Sequence, residues 1–143
     1  MSLRPALPHE HPAVRSLLTD AALPIDDLDG SQVQFFVATD HSGPVAAVGL
    51  EVLGEVGLLR SLVVRADLRR SGIGGQLVDA LEAHARLTGI GRMVLLTQTA
   101  ESFFAARGYR AIDRAQAPEQ TQGTAQFRSL CPASATCMIK SLD

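Results

Sequence analysis

The sequence predicts an α/β fold of the α+β kind, a mixed and mostly antiparallel central sheet flanked by helices. Three observations carry that reading. Residues 33–39, 45–53 and 56–64 are strand-like runs separated by short Gly-bearing turns, which makes an antiparallel meander. Residues 75–87 place Leu77, Val78, Leu81 and Ala85 at helical period before the stop signal Gly89. Residues 93–96 are a short apolar run of the kind buried on both faces, and a helix-to-strand crossover makes it parallel to the strand before.

The remaining elements follow in order. A helix over residues 8–22 buries a stripe of Val14, Leu17, Leu18 and Ala21 and stops before Pro24. An Asp-rich loop, residues 25–31, leads to the first strand of the meander, and the turn Asp40-His41-Ser42-Gly43-Pro44 closes a hairpin. After the buried run come a short helix, residues 100–107, ended by Gly108, and a strand over residues 109–113. Residues 115–126 are polar and irregular, with a helical turn expected after Pro118. Residues 134–139 supply a last edge strand, open to pairing with a second subunit as a homodimer.

Size and charge narrow the function classes. A chain of 143 residues, 46% hydrophobic, suits a single domain over residues 1–143. A formal net charge of −2 provides no overall positive field for nucleic acid. The N-terminal residues lack the apolar core of a secretory signal, and no apolar run is long enough for a bilayer, so we expect a cytoplasmic protein without membrane contact. Cys131 and Cys137 lack C-x-x-C spacing and are expected to be free thiols. His9, His11, His41 and His84 are scattered, and no metal is assigned.

The chemistry concentrates in Arg69-Arg70-Ser71-Gly72-Ile73-Gly74, an R-x-x-G-x-G turn between a strand and a helix. Such a turn aims backbone N–H groups at an anion, the helix dipole adds favourable potential, and glycines let a diphosphate approach the main chain. A dinucleotide fingerprint needs a further glycine where Leu77 stands, and a phosphate-binding P-loop needs a Gly-Lys-Ser/Thr that is absent. On the strand that leads into the turn, residues 56–64, alternation puts Val56, Leu58, Arg60, Leu62 and Val64 on one face. A guanidinium in that row either pairs with a buried carboxylate such as Glu51 or receives an anionic group of a ligand.

The stretch Leu62-Val63-Val64-Arg65-Ala66-Asp67-Leu68-Arg69-Arg70-Ser71-Gly72-Ile73-Gly74 resembles the central signature of the GNAT acetyltransferases, and the order of elements over residues 3–114 is similar to that family. The resemblance implies a sheet splayed between its fourth and fifth strands, with the pantetheine arm of acetyl-CoA in the split. It implies main-chain contacts to pantetheine from Leu62, Val63 and Val64. The diphosphate would meet Arg69, Arg70, Ser71, Gly72, Ile73, Gly74 and Gly75, and Thr97 and Phe104 complete the cofactor set.

For transfer to an amine, Glu51 is the preferred carboxylate to accept the amine proton, ahead of Glu55. Where many relatives carry a tyrosine to protonate the leaving sulfur, this chain has Phe104, and Tyr109 is its single tyrosine, expected to pack in the core. The tail Phe127-Arg128-Ser129-Leu130-Cys131-Pro132-Ala133-Ser134-Ala135-Thr136-Cys137-Met138 resembles that of arsenic-resistance-associated acetyltransferases. That implies a small amino-acid-like acceptor, an organoarsenical or a glutamate analogue, whose carboxylate or oxyanion Arg60 and Arg128 would hold. Two alternatives stand beside this enzyme: a non-catalytic module binding CoA or a thiophilic ligand, and a protein N-acetyltransferase.

Overall fold

Seven strands form one sheet in the order β1-β2-β3-β4-β5-β7-β6, in a computed structural model that describes residues 2–28, 32–130 and 132–143. The strands are β1 (Ser2–Pro5), β2 (Val33–Asp40), β3 (Gly43–Leu53), β4 (Val56–Val64), β5 (Arg92–Thr97), β6 (Arg110–Ile112) and β7 (Thr136–Ser141). The α-helices are α1 (His11–Asp20), α2 (Ile73–Leu87), α3 (Glu101–Ala105) and α4 (Glu119–Gln122). The meander, the crossover and the parallel pairing of β4 with β5 agree with the sequence reading. By its contacts the chain divides into two compact units, residues 1–51 with 59–84 and residues 52–58 with 85–143.

In the first unit, Asp40 makes the β2–β3 hairpin tight: its Oδ1 accepts from the Ser42 N–H at 2.7 Å, and Gly43 follows at φ 112°. Strand alternation then sorts β2 between two helices. Phe35 and Val37 pack with Val14 and Leu18 of α1, with Ala47 of β3 and with Val63 of β4. Phe36, pointing the other way, meets His84 of α2 edge-on at 5.1 Å between ring centroids. Val14 and Leu18, spaced four apart, are 1% and 0% exposed, and burying each such side chain stabilises by about 1.5–3 kcal/mol. α1 ends with Ala22 in the left-handed region at φ 57° and the Leu23 N–H reaching back to the Leu18 carbonyl at 2.9 Å. β1 was not expected from the sequence; it pairs with β2 from Ser2↔Thr39 to Pro5↔Phe36.

In the second unit, Val56 and Leu58 of β4 share a core with Val94, Ala117, Phe127, Cys137 and Ile139. The β4–β5 ladder consists of Val56↔Arg92, Gly57↔Met93 and Leu58↔Val94. The expectation of an edge strand at the C-terminus is corrected. β7 pairs with β5 along Arg92↔Ser141 to Thr97↔Thr136 and with β6 along Arg110↔Ile139 to Ile112↔Cys137, so its central residues are hydrogen-bonded on both sides. That removes the open edge on which pairing with a second subunit was argued. The polar tail is organised by Arg114, which donates to the Pro132 carbonyl at 2.8 Å and the Phe127 carbonyl at 3.1 Å while lying 5.4 Å from the Phe127 ring centroid. These bonds shape the π-helical turn Gln126–Leu130.

Candidate active site

β4 stops at Val64 because Arg65 turns away: its N–H donates to the Val45 carbonyl at 2.8 Å, and its side chain takes Asp67 through Nε at 2.6 Å and Nη2 at 3.0 Å. A 3₁₀ turn, Ala66–Leu68, then sets up the Arg-Gly segment. Arg69 is extended at φ −64°, ψ 149°, and its Nε donates to the Val64 carbonyl at 3.2 Å. Arg70 follows in the left-handed region at φ 67°, and Gly72 at φ 87°. The Ser71 hydroxyl donates to the Leu68 carbonyl, closing the turn.

Gly72 is the hinge into α2, since its carbonyl accepts the first helical bond, from the Gln76 N–H at 3.1 Å. The N–H groups of Ile73 and Gly74 therefore precede the helical ladder, which is where a helix presents its donors. A Cβ on Gly72 would meet no atom within 4 Å. Its glycine is required by backbone conformation, not by crowding. Arg69, Arg70, Ser71 and Gly72 are exposed while Ile73 is buried, so one apolar anchor holds an open polar turn.

Strict alternation along β4 does not hold. Ser61 sits in the left-handed region at φ 59°, and beyond it the faces slip by one: Val63 joins the α1-facing core, whereas Leu62 and Val64 are half-buried. This is the signature of a bulge, which bends a strand and re-aims its side chains. The five-residue row expected from the sequence is therefore two segments.

Arg60, just before the bulge, has a side chain 0% exposed and is fully engaged with acids. Its Nη1 donates to Asp27 Oδ2 at 2.5 Å and to Glu51 Oε1 at 2.9 Å, its Nη2 to Asp27 Oδ1 at 2.8 Å, and its Nε to Ser61 Oγ at 3.1 Å. Of the two readings left open, pairing with a buried carboxylate is the one realised. The guanidinium, with no exposed surface, is held by two carboxylates of its own chain.

Burial pulls the Arg60 pKa down, but the hydrogen bonds it donates to Asp27 and Glu51, together with their charges, outweigh burial and leave the group above its ordinary value. The Arg60 hydrogen bond holds Asp27 below the usual carboxylate range against the opposing effect of burial. Gly49 makes room for this arrangement: a Cβ there would lie 2.9 Å from Val33 Cγ1, 3.2 Å from Phe35 and 3.3 Å from Arg60 Cγ. Val33 and Phe35 also line a cavity of about 200 Å³ with His11, Val14, Arg15 and Leu28.

Turn, bulge and Arg60 cluster all belong to the first unit, which thus brings together Glu51, Arg60, Leu62, Val63, Val64 and Arg69 to Gly75. Asp27, Ser61 and Gly49 were missed. A lone glycine in a strand is a known mark of close approach and was available as a signal for Gly49; Asp27 stood in an Asp-rich loop without periodicity, and nothing in the sequence marks Ser61.

The other expected residues lie in the second unit. Glu55 is exposed in the β3–β4 turn, where its carbonyl accepts from the Gly91 N–H at 2.8 Å. Thr97 Oγ1 accepts from the Ala100 N–H at 3.0 Å, ahead of α3. Phe104 is 4% exposed, and its ring packs edge-on against Phe103 and Tyr109 at 5.0 and 5.4 Å. Tyr109 is buried, as expected. Arg128 is exposed on the π-helical turn, its N–H bonded to the Thr124 carbonyl at 2.9 Å. Cys137 is a buried free thiol whose pKa burial pushes up against the opposing charge of Arg114. Cys131 lies outside the described residues. Among the described residues no three His, Cys, Asp or Glu side chains group as metal ligands, and no helix is long and apolar enough to cross a membrane.

A glycine-hinged turn fed by a bulged strand in a mixed sheet is what the comparisons with known proteins meet, and they give the class, an acyltransferase, and the family. A family model described as "Acetyltransferase (GNAT) domain" matches residues 31–111. A Bacillus subtilis protein named "putative acetyltransferase" is 33% identical over 86 residues, a match covering 59% of this chain and 58% of that one. Among solved structures, an acetyltransferase of the GNAT family from Staphylococcus aureus superposes with a TM-score of 0.80 at 18% identity, covering 99% of each chain. A Mycobacterium tuberculosis protein in complex with CoA and NLQ superposes with a TM-score of 0.82 at 23% identity, again over 99% of each chain. N-acetylglutamate synthase from Neisseria gonorrhoeae, complexed with coenzyme A and N-acetyl-glutamate, gives 0.83 at 18% identity over 99% of this chain and 35% of its own. The chain belongs to the GNAT acetyltransferases, a family of acyltransferases.

Proposed function

We propose that the protein is an acetyl-CoA-dependent N-acetyltransferase acting on the amine of a small amino-acid-like molecule. The observation that supports this best is the turn itself, with Arg70 and Gly72 at positive φ delivering the chain into α2 directly after β4. The diphosphate of acetyl-CoA binds the N–H groups of Gly72, Ile73 and Gly74 with Arg69 and Arg70 alongside, and the pantetheine arm follows the main chain of Leu62, Val63 and Val64. For the anion to gain Arg69, its Nε leaves the Val64 carbonyl, which frees that carbonyl for a pantetheine amide.

The acceptor nitrogen attacks the thioester carbonyl, the C–N bond forms, and the C–S bond breaks as the tetrahedral intermediate collapses. The amine proton passes to Glu51, directly or through water. Glu51 is suited to this because Arg60 binds its Oε1 while Oε2 has no hydrogen-bond partner among the described residues. The departing CoA leaves as thiolate, which a thiol pKa of about 8.5 makes tolerable without a tyrosine at position 104. The resemblance of the tail to arsenic-resistance-associated acetyltransferases supports an organoarsenical or a glutamate analogue as acceptor, in the cytoplasm.

Incubation with acetyl-CoA and a panel of L-amino acids, glutamate analogues and organoarsenicals, with free CoA thiol as readout, tests the reading. Release above the hydrolytic background with one class of amine is expected. Tight acetyl-CoA binding with no release from any amine would overturn catalysis in favour of a binding module.

A further inference from the structure

The α1–β2 loop and the β4 bulge are joined through one side chain. Asp27, in the loop, grips Arg60 with both carboxylate oxygens at 2.5 and 2.8 Å. Arg60 Nε in turn donates to Ser61 Oγ at 3.1 Å, and Ser61 is the residue that β4 holds at φ 59°. A serine adopts that region reluctantly and keeps it where the surroundings over-determine it. Here the fixing agent is a guanidinium that cannot wander, since it is 0% exposed and bonded on three nitrogens.

Removing the Asp27 carboxylate would leave, among the described residues, Glu51 as the acid on Arg60, and Glu51 meets Nη1 alone, from one side. The bidentate Asp27 contact sets the plane of the guanidinium and with it the direction of Nε. Ser61 is followed at once by Leu62, so the direction in which the next main-chain groups point depends on that torsion.

We propose that Asp27 is a positioning residue for acetyl-CoA: acting through Arg60, it fixes the left-handed Ser61 and thereby aims the main chain of Leu62 to Val64 at the pantetheine arm. The inference rests on the reading that this segment binds pantetheine. It assigns the α1–β2 loop a part in cofactor affinity although the loop makes no contact with the cofactor on that reading. The coupling has a physical path, a carboxylate to a guanidinium to a hydroxyl to a backbone torsion, and every member of it lies in the first unit.

Acetyl-CoA affinity, measured by titration calorimetry on the full chain, tests this without knowledge of the acceptor. Asp27→Asn, which keeps the shape and removes the charge, is expected to weaken acetyl-CoA binding about tenfold, and Asp27→Glu to restore it to within about twofold. In a Ser61→Ala background the link is already cut, so Asp27→Asn should add less than about twofold. Glu10→Gln, which breaks the separate Arg4 pair, serves as a control that lowers the melting temperature with unchanged affinity. Equal affinity of Asp27→Asn and the parent overturns the inference and leaves the function reading standing. An undiminished tenfold effect in the Ser61→Ala background overturns the route through Ser61. A parent protein that does not bind acetyl-CoA overturns the function reading, and the inference with it.

Discussion

Ala22 ends α1 at φ 57° with a Cβ where glycine is the usual choice, and it is exposed. Ala22→Gly should therefore raise stability by about 0.5–1 kcal/mol, read as a higher urea midpoint at unchanged slope. Glu10 makes the opposite kind of contribution. Its carboxylate takes Arg4 at 2.7 and 2.8 Å and the Leu7 N–H at 2.8 Å, and Arg4 first, then Leu7, holds its pKa down at about 2 against an ordinary 4.5. A depressed carboxylate stabilises fully above its unfolded value. The stability gap between the parent and Glu10→Gln should thus be complete above about pH 5 and close as pH falls toward about 2, in denaturant titrations across that range. Single residues were the least legible scale in the sequence. Arg60 stood out because a charge in an apolar row needs a partner, and Glu51 was within strand reach. Asp27 arrives from a loop, whose path no periodicity encodes.

At the scale of elements, period and turn chemistry fixed type and order well. They failed where one residue breaks the period, as Ser61 does, and where a strand is too short to show one, as in Ser2–Pro5 with its terminal proline. Gly49 shows what such a sheet tolerates. Gly49→Ala must displace Val33, whose branched side chain is stiff, and press on Arg60. A loss of about 1–3 kcal/mol is expected in chemical denaturation. In the glycine-hinged turn, Gly72→Glu adds both an adverse φ and a like charge beside the diphosphate, and acetyl-CoA binding should be abolished in calorimetry while the far-ultraviolet circular dichroism persists. Unchanged affinity would remove the turn from the site.

For the whole molecule, the helix–meander–turn–helix–strand order was enough to reach the fold, because a parallel crossover after an antiparallel meander leaves few ways to build a sheet. The C-terminal third was read less well. Its organiser, Arg114, works through the carbonyls of Phe127 and Pro132, and carbonyls carry no residue-type signal. Cys137, 2% exposed in the second unit's core, reports on the global opening of that core. In a Cys131→Ser background its thiol should resist Ellman's reagent in the folded state and react at once in denaturant. Rapid labelling of the native protein would contradict the burial.

β7 lies between β5 and β6, two strands that leave the ribosome before it. Throughout synthesis of the intervening residues, both earlier strands wait with an unmet hydrogen-bonding side, and this half of the sheet is completed by insertion, not by extension. A released chain truncated at residue 130 should be cut readily by protease from β5 onward, whereas the 143-residue chain is protected there.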